Sequence, residues 1–197
     1  NKKGKTPLLS LSFNVYNEEK NLEKVYLECK KVLDKAKISH EVIFVEGGSK
    51  DKSWEVIKKI TKKYKNCKGV QAETEPARKD NAGRKVARGK YLGYMCSDGQ
   101  DNPNIIPRCI RRLQEDKADF VKARRVDRVF WERKVISMIY NALCRMIFGL
   151  KLKDINMHPK IFKRELIKNI DLISKGESVD LEVVLRASRK GYRMIEL

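Results

Sequence analysis

Lys90-Tyr-Leu-Gly-Tyr-Met-Cys-Ser-Asp-Gly-Gln-Asp-Asn-Pro103 divides into three parts. Tyr91 to Cys96 is a short, mostly apolar run that reads as a buried strand. Ser97 to Asp101 puts carboxylate and amide oxygens into a turn. Pro103 opens a helical pattern, with Asn102 placed to cap it. Hard oxygen ligands at a strand end suit a divalent cation shared with phosphates. Taken alone, the stretch is equally an ordinary βα turn, because Asp, Gly and Asn are turn residues. The ends of the other strands decide between the two.

Outward from this stretch, strand and helix patterns alternate. Leu8 to Val15 is a first strand. Asn17 is placed to cap a helix in which Leu22, Val25, Tyr26, Cys29, Val32 and Leu33 recur at helical spacing. His40 to Val45 is a second strand. The glycine-rich turn Glu46-Gly-Gly-Ser-Lys-Asp51 follows it, and Trp54, Val56, Ile57 and Ile60 mark the next helix. Gly69 to Ala72 is a short third strand, Asn81 to Ala87 a loop and helix, and Asp119 to Arg124 another strand. Asp154 to Phe162 reads as irregular or partly extended. Ser178 or Asp180 caps a last helix that stops at Gly191, before a strand over Tyr192–Leu197. The alternation predicts an α/β fold: a single Rossmann-like domain over 1–197, with a mainly parallel central sheet flanked by helices.

Val135 to Phe148 is apolar nearly all round, with Arg145 its one charge and Lys151 and Lys153 just beyond. It reads either as a core helix or as a helix lying on a membrane surface, its basic flanks facing lipid headgroups. The segment 130–165 is accordingly a candidate acceptor-side, membrane-facing region.

Composition bounds the function. The 197 residues suffice for a full core without disulfide staples. Lys and Arg number 45 against 26 Asp and Glu, a net charge of +19, so the chain should seek phosphate on nucleotides, nucleic acid or an anionic membrane. Five cysteines, an odd number without a CxxC pair, read as reduced thiols and predict a cytoplasmic location. The start at Asn1 without methionine, and the end inside an expected strand, predict a piece of something longer.

In a parallel α/β sheet, ligands sit beyond the carboxyl ends of the strands. Those positions hold Asn14-Val-Tyr-Asn17, Glu46-Gly-Gly-Ser49 and Ser97-Asp-Gly-Gln-Asp101. Each precedes a helix whose N-terminus favours an anion. A nucleotide diphosphate with a metal would use all three: a carboxylate for ribose or base, backbone amides for phosphate, and Asp98 for the cation.

In these residues the chain resembles the inverting family 2 glycosyltransferases of the A-type nucleotide-sugar fold, and most of all their dolichol- or polyprenol-phosphate sugar synthase branch. The likeness is carried by Ser12–Glu19, Glu41–Asp51, Asn81–Gly83 with Gly89–Tyr91, and Met95–Gln100. Asp154–Arg164 and Asp180–Ala187 with Gly191-Tyr192 add to it. The resemblance implies a hexosyl- or N-acetylhexosaminyltransferase acting at the cytoplasmic membrane face. Its donor would be a nucleotide-diphosphate sugar, and its acceptor a polyprenyl phosphate or another lipid or glycan. It implies that Tyr16, Asn17, Glu19, Glu46, Gly48, Asn81, Gly83 and Ser97 line the donor pocket, and that Asp98 and Gln100 hold Mg²⁺ or Mn²⁺. It further implies Arg124 and Arg133 at the diphosphate or acceptor phosphate, Asp154 near the acceptor, and Glu182 in the tail motif. Two positions depart from the family. Its second acid after strand two is Gly47 here, and the first acid of its Asp-x-Asp motif is Cys96. Both remove negative charge, and they predict a weakened metal site.

Other candidates read more plainly. His40 opens a strand and is read as structural. His158, between Met157 and Pro159, is read the same way, with substrate contact the lesser alternative. Arg124, Arg125, Arg128, Arg133 and Lys134 surround Phe130 and Trp131, either as a solvated face or as a clamp for phosphate. A sugar nucleotidyltransferase is an alternative, but Ser12 to Asn17 lacks the glycine-rich phosphate loop such an enzyme needs. Specific nucleic-acid binding has no zinc-ligand spacing or recognition helix to support it.

Overall fold

The computed structural model describes residues 6–72, 82–124, 131–173 and 178–197. Seven strands form one sheet: β1 Leu9–Val15, β2 His40–Glu46, β3 Cys67–Gln71, β4 Tyr91–Cys96, β5 Phe120–Lys122, β6 Lys160–Lys163 and β7 Met194–Glu196. Their order is β3-β2-β1-β4-β6-β5-β7. The pairs β1·β2, β1·β4, β2·β3 and β5·β7 are parallel, and β6 is antiparallel to both β4 and β5. The expected mainly parallel sheet is present. The segment read as irregular or partly extended supplies β6, the one reversed strand among those described.

Parallel strands in the middle of such a sheet are covered on both faces and read as continuous apolar runs. Val42 to Glu46 of β2 are all buried, and alternate side chains serve two cores. Phe13 and Phe44, with rings stacked 5.7 Å apart, meet the helices α1 Leu22–Lys35, α2 Ser53–Lys63 and α3 Ile106–Glu115. Ile43, Val45, Leu92 and Phe162 face the other way. They pack with α5 Arg164–Lys168, α6 Val179–Arg189 and Cys144 of α4 Trp131–Phe148. Burying each Phe is worth roughly 1.5–3 kcal/mol, so these two layers fix the sheet that presents the strand ends.

Local signals behave unevenly. Asn102 accepts a hydrogen bond from the Asn104 amide at 3.0 Å, capping as expected, and Gly191 ends α6 in a left-handed conformation at φ 72°. Asn17 is not a helix cap. It sits at φ 54°, and α1 starts at Leu22 with Asn21 in the N-cap position. Ser178 occupies the cap position of α6 without a side-chain capping bond, and Asp180 is used elsewhere.

The core-helix reading of Val135–Phe148 does not hold. Asn141 and Cys144 are buried, Ser137 and Tyr140 are half-buried, and together they form one stripe at helical spacing. The outward face carries Trp131, Ile136 and Met146, exposed by 71%, 68% and 76%. Among the described residues no helix is long and apolar enough to cross a membrane.

Candidate functional site

The sheet order runs outward from β1 to β3, then resumes on the other side of β1 with β4. The crevice between β1 and β4 is therefore a topological switch point, where such folds open for ligands. Register makes the ends level: Val15 pairs with Glu46, and Asn14 with Cys96. With strands roughly 4.8 Å apart, the turns after β1, β2 and β4 open side by side.

The first two turns interlock. Asn17 Oδ1 accepts from the Lys50 amide at 2.7 Å, while the Asn17 amide donates to Ser49 Oγ at 3.0 Å. The Glu19 amide donates to Asp51 Oδ2, and Glu19 Oε2 accepts from the Lys52 amide. Buried Glu46 accepts from the Ser49 amide and so closes its own turn, with Gly48 left-handed at φ 79° inside it. Tyr16 stands half exposed at the rim. Ser97 Oγ donates to the Asn14 carbonyl at 2.7 Å and pins β4 to β1. Gly83 packs on the sheet: a Cβ there would lie 3.0 Å from Val45 Cγ2. Asn81 lies outside the described residues.

The third turn is the polar centre. Half-buried Asp98 accepts from the Gln100 amide at 2.9 Å, which holds the turn and sets Gln100 at the exposed edge. The Cys96 amide donates to Asp101 Oδ2 at 2.8 Å. His158, read from sequence as structural, stands here: Nδ1 is 3.3 Å from Cys96 Sγ, and Nε2 is 3.4 Å from Asp180 Oδ2. Burial, with Asp101, Asp98 and Asp180 nearby, pushes the Cys96 thiol up to about 12. It is thus protonated beside His158 Nδ1, and Lys160 Nζ also reaches His158 Nε2 at 3.4 Å.

Behind this centre lie two buried lysines. Lys160 bonds Asp180 Oδ1 at 2.6 Å. Burial pulls Lys160 down, and Asp180 opposes that most strongly. Lys122 donates to the Ala123 carbonyl at 2.8 Å and to the Asp154 carbonyl. Burial and the charge of Lys160 draw Lys122 down to about 8. Asp180 is held well below the usual carboxylate range: burial would raise it, but Lys160 and then His158 outweigh that cost. Asp154 is buried in the field of both lysines, its amide donating to Glu196 Oε1 at 2.8 Å. Arg124 is exposed beyond β5, with its amide on the Leu197 carbonyl. Glu182 is inside α6, accepting from the Ile173 amide and from Arg186, and braces that helix. Arg125, Arg128, Phe130 and the side chains of Arg133 and Lys134 lie outside the described residues.

The structure thus brings together two groups of predicted residues, Tyr16–Glu19 with Glu46–Ser49, and Ser97–Gln100 with Asp154 behind them. Sequence reasoning placed Asp101 in the polar turn and Asp180 at a helix cap without giving either a site role, passed over Lys160, and read His158 as structural. The chain matches the family described as Glycosyl transferase family 2 over residues 13–171. It belongs to that family. An uncharacterized protein of Methanocaldococcus jannaschii is 27% identical over 195 residues, covering 92% of this chain and 82% of that protein. A dolichol-phosphate mannosyltransferase of Pyrococcus furiosus is 24% identical over 188 residues. The match covers 90% of this chain but 52% of the mannosyltransferase, so this family 2 chain spans about half of that relative's length. In fold it is similar to glucosyl-3-phosphoglycerate synthase from Mycobacterium tuberculosis, solved with Mn²⁺, UDP and glucosyl-3-phosphoglycerate. The TM-score is 0.76 at 15% identity, covering 97% of this chain and 70% of that one.

Proposed function

We propose that this family 2 chain is an inverting, divalent-cation-assisted glycosyltransferase. It would move a hexosyl or N-acetylhexosaminyl group from a nucleotide-diphosphate sugar to a polyprenyl phosphate or a similar lipid or glycan acceptor. The observation that carries the reading is the level alignment of three polar strand ends at the switch point. The mannosyltransferase relative motivates the lipid-phosphate acceptor, and the neighbour holding Mn²⁺ and UDP motivates the donor class.

The residues fit a cation. Burial raises Cys96 most, and the nearby Asp101, Asp98 and Asp180 add to it against Lys160, so the turn lies in a negative field. Asp98 and Gln100 would hold Mg²⁺ or Mn²⁺. The ion would offset the charge of the departing diphosphate.

The protein's own groups do the rest. Tyr16 at the rim would stack on the base, while the interlocked Asn17, Glu19 and Glu46 shape the ribose side. Arg124 would pair with the diphosphate or the acceptor phosphate. Attack from the face opposite the leaving group inverts the anomeric carbon. A phosphate acceptor arrives ionised and needs no base. A hydroxyl acceptor would pass its proton to Asp154. The exposed face of α4, with Arg145, Lys151 and Lys153 nearby, would bring the site to an anionic membrane at the cytoplasmic face.

A panel of nucleotide-diphosphate sugars, screened by thermal shift with and without Mn²⁺, tests the donor assignment. One base and sugar should raise Tm only when metal is present. Asp98→Asn should keep the unliganded Tm, because the site is at a turn, and lose transfer. Wild-type turnover by Asp98→Asn would remove the metal role from that residue.

A further inference from the structure

Cys96, Asp101 and His158 each offer one ligand atom, and these atoms all lie within 4.8 Å of one another. We infer that they form a binding site for a thiophilic divalent ion of the zinc class, chemically distinct from the hard oxygens of Asp98 and Gln100. The inference stands on the geometry of the triad and does not depend on the donor assignment.

The distances suit a tetrahedral ion. Bond lengths of about 2.3 Å to sulfur and 2.0–2.1 Å to nitrogen or oxygen imply ligand separations of roughly 3.3–3.6 Å. The structure has Cys96 Sγ 3.3 Å from His158 Nδ1, and His158 Nδ1 3.9 Å from Asp101 Oδ2. Shifts of a few tenths of an ångström bring these two separations into range, and Cys96 and Asp101 lie within 4.8 Å of each other. The outer partners are already in place. Asp180 Oδ2 and Lys160 Nζ each lie 3.4 Å from the far nitrogen of His158, and the carboxylate–histidine arrangement orients the ring with Nδ1 toward Cys96. The Cys96 amide fixes the Asp101 carboxylate. Thiolate, imidazole and carboxylate together favour zinc-like ions over Mg²⁺. Cys96 and His158 are half-buried, which leaves a fourth position toward solvent. On binding, the S–H bond of Cys96 breaks, its proton leaves to solvent and a sulfur–metal bond forms. No electrons are exchanged.

Co²⁺ is the probe, titrated into the chain under a phosphine reductant. One ion per chain should bind, with an intense near-ultraviolet thiolate-to-cobalt band. Zn²⁺ should bleach the band, and a large excess of Mg²⁺ should leave it. Cys96→Ser should abolish the band. Asp180→Asn removes the outer partner of His158 together with the counter-charge of Lys160; at neutral pH, with folding checked by circular dichroism, it should weaken Co²⁺ about 10–100-fold and keep the band shape. Asp98→Asn should retain the band, which separates this site from the donor site. If Cys96→Ser does not fold, X-ray absorption of the Zn²⁺-loaded wild type decides: one sulfur at about 2.3 Å supports the site. No band in the wild type, a band surviving in folded Cys96→Ser, loss of the band in Asp98→Asn, or a zinc shell without sulfur would overturn it.

Discussion

Asp180 shows how much one carboxylate holds. It accepts from Lys160 and the Tyr94 hydroxyl and faces His158, and Lys160 is fully buried. Asp180→Asn strands a buried ammonium and should cost roughly 3–5 kcal/mol at neutral pH. The sign of its pH dependence follows from its depressed pKa. The unfolded chain takes up the Asp180 proton first, so its contribution is complete above about pH 4 and drains away as the pH falls further. Urea unfolding at several pH values should show the wild-type advantage over Asp180→Asn constant near neutrality and shrinking below pH ~4. An advantage that grows on acidification would reverse the assignment. Cys96 gives a second expectation. Cys96→Asp places a carboxylate where a neutral thiol stands beside Asp98. Mg²⁺ binding in the presence of a nucleoside diphosphate should tighten by about 1 kcal/mol. Calorimetry giving equal affinities would mean that position 96 does not face the ion. Asp98 was legible in the sequence because a strand, a polar turn and a capped helix are contiguous. The partners of the site were not: His158 lies 62 residues from Cys96, and Asp180 86 residues from Tyr94. No local spacing announces such pairs.

Elements explain why those distant residues meet. β6 inserts antiparallel between β4 and β5, with Gly93 opposite Ile161 and Tyr94 opposite Lys160. The four residues Lys160–Lys163 are too short and too basic to advertise a central strand. Their place is set by tertiary packing, since a Cβ on Gly93 would already press Ile161 at 3.2 Å. Gly89 is tighter still. A Cβ there would sit 2.4 Å from the Ser10 amide nitrogen, while the Gly89 amide itself donates to Ser10 Oγ. Backbone cannot yield as a side-chain tip can, so Gly89→Ala should destabilise by about 1–3 kcal/mol, read as a lower urea midpoint. An unchanged midpoint would contradict the close approach. The sequence of α4 left core and membrane surface open, because an all-apolar helix satisfies both. Exposure decides against the core, and it makes the membrane reading testable. Met146→Glu with Ile147→Glu sits on the outward face and should change stability by no more than about 0.5 kcal/mol per site. It should release the protein from anionic vesicles in flotation. Flotation equal to wild type would place the vesicle contact elsewhere.

At the scale of the whole molecule, the net charge of +19 is the least specific signal in the sequence. Internal pairing leaves that excess unchanged, since the 26 acids are already subtracted, but it takes several cations out of play as a docking surface. Lys68 and Arg88 bracket the buried Glu41 at 2.9 and 3.1 Å, Lys163 pairs with Asp119, and Lys122 and Lys160 lie inside the protein. Glu41 stays below its ordinary range: burial raises it, but Ser10 and Lys68 outweigh the cost. The remaining cations are spread over solvated helix faces, which attract any polyanion through counterion release. Such binding falls steeply with salt, since affinity scales as a power of salt concentration set by the phosphates neutralised. On the proposed reading, a nucleotide diphosphate in the β1–β4 crevice would be held differently, by stacking, hydrogen bonds and a shared cation in a low-dielectric cleft that salt screens much less. Duplex DNA and a nucleotide-diphosphate sugar with Mn²⁺, each titrated at 50 and 200 mM salt, should therefore diverge. For six phosphate contacts or more, DNA affinity should drop about 10³-fold or further, while the nucleotide should change by only a small factor. DNA binding that survives the higher salt, with no nucleotide binding at either, would make the basic surface the functional feature and the crevice a relic of the fold.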